Sequence, residues 1–375
     1  MRLTLLASFA ATLLVPAAAC ADAPAADSEA PARLSWEIED QKEPGNVQFE
    51  LSHRSPGHSY STSRPVPLDS LVGITPAQLS SASGAQVRFH MVREAGSFDC
   101  EGIVRRGRGT GDCSFVPDPA FAAGLARRGM GQATPYQLFS LAMGDVGLVY
   151  ADELDRQHYA RPSVQDLVDA GNHGAGMDYL RGMGALGYRV GTVEALIRMR
   201  DHGVSPEYVK EMVEAGLRDV PADMLVEMRD HGVSPSYIGE LRGLGYRDLP
   251  IRELIGLRDH GVTVDYVRAL AGHGLRGAPL ADVINLRDHG VTADYVGELR
   301  SSGWDRLTTE EIVRLRDHGV ASSFVRELRA LGYGGLRVDE IVRLRDMGVT
   351  AAFIRDANSA GRRSPDELVR LRTGG

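Results

Sequence analysis

Lysine is almost missing from this chain: Lys42 and Lys210 are the only two among 375 residues, and 50 acidic against 42 basic side chains leave a net charge of −8. With a pI near 5.8, the chain lacks the dense cationic face that nucleic acid or an anionic lipid surface would need. Long apolar runs are confined to the N-terminus, and no later segment is apolar over the roughly 20 residues that cross a bilayer. The familiar catalytic signatures are missing too. There is no Gly-x-Ser-x-Gly elbow, phosphate loop, dinucleotide fingerprint or His-Glu-x-x-His zinc motif. Gly107-Arg108-Gly109-Thr110-Gly111 is glycine-rich but reads as a hairpin turn, so no cofactor is implied.

Cysteine is scarce, and its three positions are informative. Met1-Arg2, the apolar run Leu3 to Leu14 and the small residues of Val15 to Ala21 read as a signal peptide over residues 1–21, cleaved after Ala19-Cys20-Ala21. The alternative is a lipoprotein signal, Ala17-Ala18-Ala19-Cys20, with the lipid on Cys20. Either leader implies a periplasmic or secreted protein, and Cys20 is the one route to a membrane anchor. Residues 22–33, mostly Ala, Pro, Asp and Glu, read as a disordered tether. Cys100 and Cys113 flank Arg106-Gly107 symmetrically. If that pair is a hairpin turn, they face one another and form a disulfide in an oxidising compartment.

Residues 34–117 carry an apolar period of two: Leu34, Trp36, Ile38; Val47, Phe49, Leu51; Val87, Phe89, Met91. Thr75-Pro76-Ala77-Gln78-Leu79 interrupts them as a capped short helix. The expectation is a small, mostly antiparallel sheet of five or six strands. His53, His58 and His90 lie here without ligand spacing.

Residues 118–375 are a repeat. Arg200-Asp201-His202-Gly203-Val204 returns every 29 residues from Arg229, Arg258, Arg287, Arg316 and, as Arg-Asp-Met-Gly-Val, Arg345. An aromatic follows four residues after each valine: Tyr208, Tyr237, Tyr266, Tyr295, Phe324 and Phe353. Stepping back finds Tyr179, Tyr150 and Phe121. A fixed period of this size marks stacked units that cannot bury an apolar face singly. Each unit reads as a helical hairpin. Gly203 ends a first helix in the left-handed conformation, Ser205-Pro206 opens a second, and Gly216 ends that one. Val204 serves both helix ends, touching Met199 behind it and Val209 ahead. The fold class is therefore α+β: a small β domain followed by an all-α solenoid of short helical hairpins, with the terminal segment Asp366 to Arg372 as its polar cap.

Three columns invite a functional reading. His202, His231, His260, His289 and His318 recur at one position. Stacked helices lie about 8–10 Å apart, so one metal ion with bonds near 2 Å cannot join successive histidines. They read as polar groups at helix C-termini, donating to free carbonyls, and as the candidate column for binding a partner. The Arg-Asp recurrence reads as surface electrostatics. The Tyr/Phe column reads as core with a dispensable hydroxyl, since Phe replaces Tyr at three positions.

The phrasing Leu257-Arg258-Asp259-His260-Gly261-Val262-Thr263 with Tyr266-Val267 resembles tandem helical repeats of exported bacterial proteins, similar to repeats appended to some antirepressor-type membrane metallopeptidases. The resemblance covers roughly residues 118–375. It implies an envelope location and a sensing or docking module, and no peptidase role transfers without the zinc motif. The expected function is a non-catalytic, exported scaffold that binds a protein or peptide. The alternatives are an envelope enzyme with its site in the β domain and the array as targeting arm, or a weak metal binder using the His column.

Overall fold

A computed structural model describes residues 34–41, 45–55 and 58–374. The expected leader, tether and Cys20 lie outside the described residues, as does the His58 side chain. The chain forms two compact units that divide between Met177 and Asp178.

Among the described residues the first unit has seven strands: β1 Leu34–Asp40, β2 Asn46–Ser55, β3 His58–Pro67, β4 Leu71–Val72, β5 Ala85–Arg93, β6 Gly96–Arg105 and β7 Arg108–Pro117. They form one antiparallel sheet in the order β3-β2-β1-β7-β6-β5-β4. Seven strands exceed the five or six expected, because β3 is largely Ser, Thr and Pro and β4 is two residues long, so neither shows an apolar alternation. β3 and β4 are the two edges of the sheet, yet only a 3-10 turn, Leu68–Ser70, joins them. The sheet is therefore curled, and Phe49 on β2 meets Phe89 on β5 edge-on across the interior.

The interior is organised by Trp36, which is fully buried and donates its indole N–H to the Glu101 carbonyl at 3.1 Å. Gly102 and Gly111 make room for the ring. A Cβ on Gly111 would lie 2.0 Å from the Glu101 carbonyl oxygen and 2.7 Å from Trp36 Nε1, and one on Gly102 would lie 2.6 Å from Trp36 Cζ2. This corrects the reading of Gly107 to Gly111 as a turn. Only Arg106 and Gly107, both at positive φ (50° and 80°), turn the chain, while Gly109 and Gly111 belong to β7 and face inward. Cys100 and Cys113 are directly opposed on β6 and β7 and bonded, with Cα atoms 4.1 Å apart.

Helix α1, Pro76–Leu79, has the expected Thr75 cap and first-turn Pro76, and Gln78 completes a capping box with Thr75. Its C-terminal residues accept from the β6–β7 turn, through Gly107 N–H on Leu79 O and Arg106 N–H on Ser81 O. Four further helices follow in this unit: α2 Pro119–Arg127, α3 Pro135–Gly144, α4 Leu148–Arg156 and α5 Val164–Asn172. The Phe139 ring of α3 packs against Phe98 and Phe115, and Glu94 accepts from Leu148 N–H at the start of α4.

The second unit is helical throughout its described residues. First helices are α7 Val193–Asp201, α9 Ala222–Asp230, α11 Ile251–Asp259, α13 Leu280–Asp288, α15 Thr309–Asp317, α17 Val338–Asp346 and α19 Pro365–Thr373. Second helices are α6 Met177–Ala185, α8 Pro206–Glu214, α10 Pro235–Gly243, α12 Val264–Leu270, α14 Ala293–Ser301, α16 Ser322–Ala330 and α18 Ala351–Ala357. From Pro119 to Ala351 both series start at 29-residue intervals, so the register extends back to α2, where no motif is legible. First helices pack on first helices and second on second, in two layers. Most helices have nine residues, too few to be stable alone in water. The helix ends follow the sequence reading. Val204 N–H bonds to Met199 O at 2.9 Å and Gly203 N–H to Arg200 O at 3.0 Å, with Gly203 at φ 71°, which is a Schellman stop. Val204, Val209 and their equivalents Val233 and Ile238 are buried.

Candidate functional site

Chemically active side chains of the second unit are concentrated at the junctions between hairpins, and each column named above makes its bonds there. Every tyrosine hydroxyl of the column donates to the carbonyl of the valine 25 residues on. Tyr179 reaches Val204 O, Tyr208 Val233 O, Tyr237 Val262 O, Tyr266 Val291 O and Tyr295 Val320 O, at 2.7–3.0 Å. In the first unit Tyr150 does the same to Ala175 O. The hydroxyl is therefore not dispensable where it occurs. It satisfies the carbonyl of the residue that clamps the next hairpin; of the three Phe positions, Phe121 is buried as expected and Phe324 and Phe353 are half-buried. Burial pushes the pKa of Tyr208, Tyr237, Tyr266 and Tyr295 up to about 12, with the nearby arginine pulling weakly the other way.

That arginine belongs to the following repeat. Arg200, Arg229, Arg258, Arg287 and Arg316 lie over the rings of Tyr179, Tyr208, Tyr237, Tyr266 and Tyr295, 4.9–5.6 Å from the centroids. Arg229 and Arg287 also donate through Nε to the carbonyls of Gly203 and Gly261. The recurrence is thus more than surface electrostatics, because the guanidinium ties one helix stop to the next.

The histidines are likewise engaged across the junction. His202, His231, His260, His289 and His318 bond through Nδ1 to Asp230, Asp259, Asp288, Asp317 and Asp346, at 2.5–3.0 Å. The expected donation to carbonyls of their own helix is replaced by a carboxylate of the next. An aspartate in the last turn of a helix is unfavourable against the helix dipole, and the imidazole of the preceding repeat compensates it. The bond to Asp259, reinforced by Glu227 and Asp230, raises the His231 pKa above its ordinary value. The final copy carries Met347 where the others have His. The next first helix, α19, begins 27 rather than 29 residues after α17, and Thr373 holds its aspartate slot. Histidine and partner therefore disappear together. The constant 28-residue His-to-Asp spacing was the sequence signal for this pairing.

Two columns went unnoticed in the sequence. Tyr188, Tyr246 and Tyr333 donate from one inter-hairpin loop to a carbonyl near the next, Val220 O, Ala278 O and Arg363 O, at 2.7–2.8 Å. Beside them Arg189, Arg218, Arg247 and Arg276 recur at 29-residue intervals, are exposed, and make no side-chain bond among the described residues. Arg218 and Arg247 are followed by Asp219 and Asp248 at positive φ. Further along the same edge, the loops at Trp304 and Leu336 line an open groove of about 580 Å³.

In the first unit, His90 Nδ1 bonds to Asp99 at 2.6 Å, a pair hidden by the spacing of the histidines. Asp99 is also opposite Ser114, so His90, Asp99 and Ser114 form one row across β5, β6 and β7. The carboxylate is in the middle. A nucleophilic triad needs the imidazole between serine and carboxylate, so this row is a surface pair. No group of three or more His, Cys, Asp or Glu among the described residues could hold a metal ion, and no described helix is long and apolar enough to cross a membrane.

Fold and junctions together define a class of architecture: an α+β protein whose helical hairpins are cross-tied by repeated Tyr, Arg and His–Asp bonds. Compared with known proteins, the chain matches no family model and no curated protein.

Proposed function

We propose that the protein is a non-catalytic, exported scaffold that binds a protein or peptide along the loop edge of its repeat array. The observation that carries this reading is the contrast between arginine columns. Those at the helix stops are consumed by stacking and carbonyl bonds within the array, whereas Arg189, Arg218, Arg247 and Arg276 are left exposed at regular spacing. Successive loops in such a stack are about 10 Å apart, a step suited to an extended segment carrying carboxylates. Asp219 and Asp248 interrupt the positive charge, which favours a partner of mixed sequence over a uniform polyanion. The histidine column becomes the weaker contact candidate, since its Nδ1 atoms are occupied.

Envelope extracts passed over the immobilised mature protein, and over a variant with Arg189, Arg218, Arg247 and Arg276 replaced by Gln, test the proposal. Selective retention by the native chain and loss in the variant, at equal Tm, is the expected result. Equal retention by both would move the contact elsewhere, and no selective retention by either would end the scaffold reading. The mass of the mature N-terminus, cut after Ala21 or lipidated at Cys20, tests the export half.

A further inference from the structure

We infer that the His–Asp junctions make the array a pH-graded stack, tied more firmly in mildly acidic surroundings than in alkaline ones. The geometry is repeated five times: a C-terminal histidine of one first helix on the last-turn aspartate of the next, both partly exposed. A neutral imidazole can still donate one N–H to the carboxylate. The imidazolium makes a charge-assisted bond, which is shorter and stronger, and it also places positive charge against two helix C-termini at once. Because each hairpin touches only its neighbours, the five junctions act in series on the same stack.

The charges around His231 are accountable. Asp259 faces it from α11, and Asp230 and Glu227 flank it on α9, with Arg252 of α11 4.0 Å from the Glu227 carboxylate. On the α7 side His202 is bound to Asp230. Arg229 is held by Gly203 O and the Tyr208 ring, and Arg258 lies over Tyr237. The residue four before each histidine varies: Arg198, Glu227, Gly256, Asn285 and Arg314. His231 is thus the junction with an added carboxylate at that place. A pKa raised in the folded state gives a contribution present in full below the unfolded value, about 6.5, and lost as pH rises through the folded value. Between pH 5.5 and 8.5 histidine is the side chain whose ordinary pKa falls in range.

The test uses the whole mature protein. Histidine Hε1 resonances, assigned through single His→Gln variants, are followed by NMR against pH, and Tm is measured over pH 5.5–8.5. The expected result is a His231 midpoint above 6.5 that falls in D259N and in E227Q. The native Tm should decline with rising pH, and a fivefold His→Gln variant should lose most of that decline. A His231 midpoint indifferent to D259N, or an identical pH dependence of Tm in the native and fivefold variants, overturns the proposal. If the fivefold variant does not fold, the D259N titration decides alone.

Discussion

Val233 carries more of the array's local geometry than its size suggests, and its replacement gives a quantitative test. Its N–H bonds to Met228 O at 2.8 Å, closing the stop of α9. Its side chain is 1 % exposed, buried like Met228 and Ile238 at the two helix ends, and its carbonyl accepts the Tyr208 hydroxyl at 3.0 Å. V233A removes two methyl groups, about 1.6 kcal/mol at ~0.8 kcal/mol each, and the cavity left behind adds to this. V233D keeps the backbone bonds but places a carboxylate in an apolar junction beside a helix C-terminus, and should cost roughly 4 kcal/mol or more. Urea unfolding followed by circular dichroism reads both, with H231N, which removes only the partly exposed bond to Asp259, expected to lose less than V233D. Because units couple only to neighbours, V233D should also broaden the transition and raise amide exchange in α7 to α11 before the distant helices. A loss below about 1 kcal/mol for V233D, or one no larger than that of H231N, would show that the valine is not the clamp described and that the reasoning about paired helix ends is wrong.

Gly111→Ala should disrupt the curled sheet by roughly 3 kcal/mol or more, since its Cβ would meet the Glu101 carbonyl at 2.0 Å and Trp36 at 2.7 Å. Loss of the Trp36 fluorescence signature, read in a W304F background, would report it, with G239A, where an added Cβ meets nothing within 4 Å, as the comparison. Alkaline titration followed by tyrosinate absorbance should show Tyr208, Tyr237, Tyr266 and Tyr295 ionising only toward pH 12. Their pKa values are raised in the folded state, so the stability tied to the protonated hydroxyls is complete below about pH 10 and lost between 10 and 12. Ionisation of all tyrosines near pH 10 in a still-folded chain would contradict the Tyr–carbonyl ties.

The helical hairpins were legible because their determinants are local. A glycine at φ 71° after His202, a serine cap with proline at the first helical position, and apolar residues on one face act within a dozen residues. The order of strands before helices and the opposed cysteines were legible for the same reason: alternation and a two-residue turn fix which residues face each other. β3 was not, because its Ser- and Thr-rich strand forms by pairing with β2 rather than by its own apolar pattern.

What the sequence determined by itself, then, is the period, the helix ends and the class of each segment, all consequences of backbone conformation and short-range hydrogen bonding. What only the tertiary structure decided is how one repeat meets the next. A 29-residue period fixes which residues are equivalent, but the offset between stacked hairpins sets whether a tyrosine reaches the valine 25 residues on or a histidine the aspartate 28 residues on. That offset follows from side-chain packing between two helical layers. Likewise, the packing of the sheet's inner face depends on the glycine space into which Trp36 fits, and no alternation within a strand records that space.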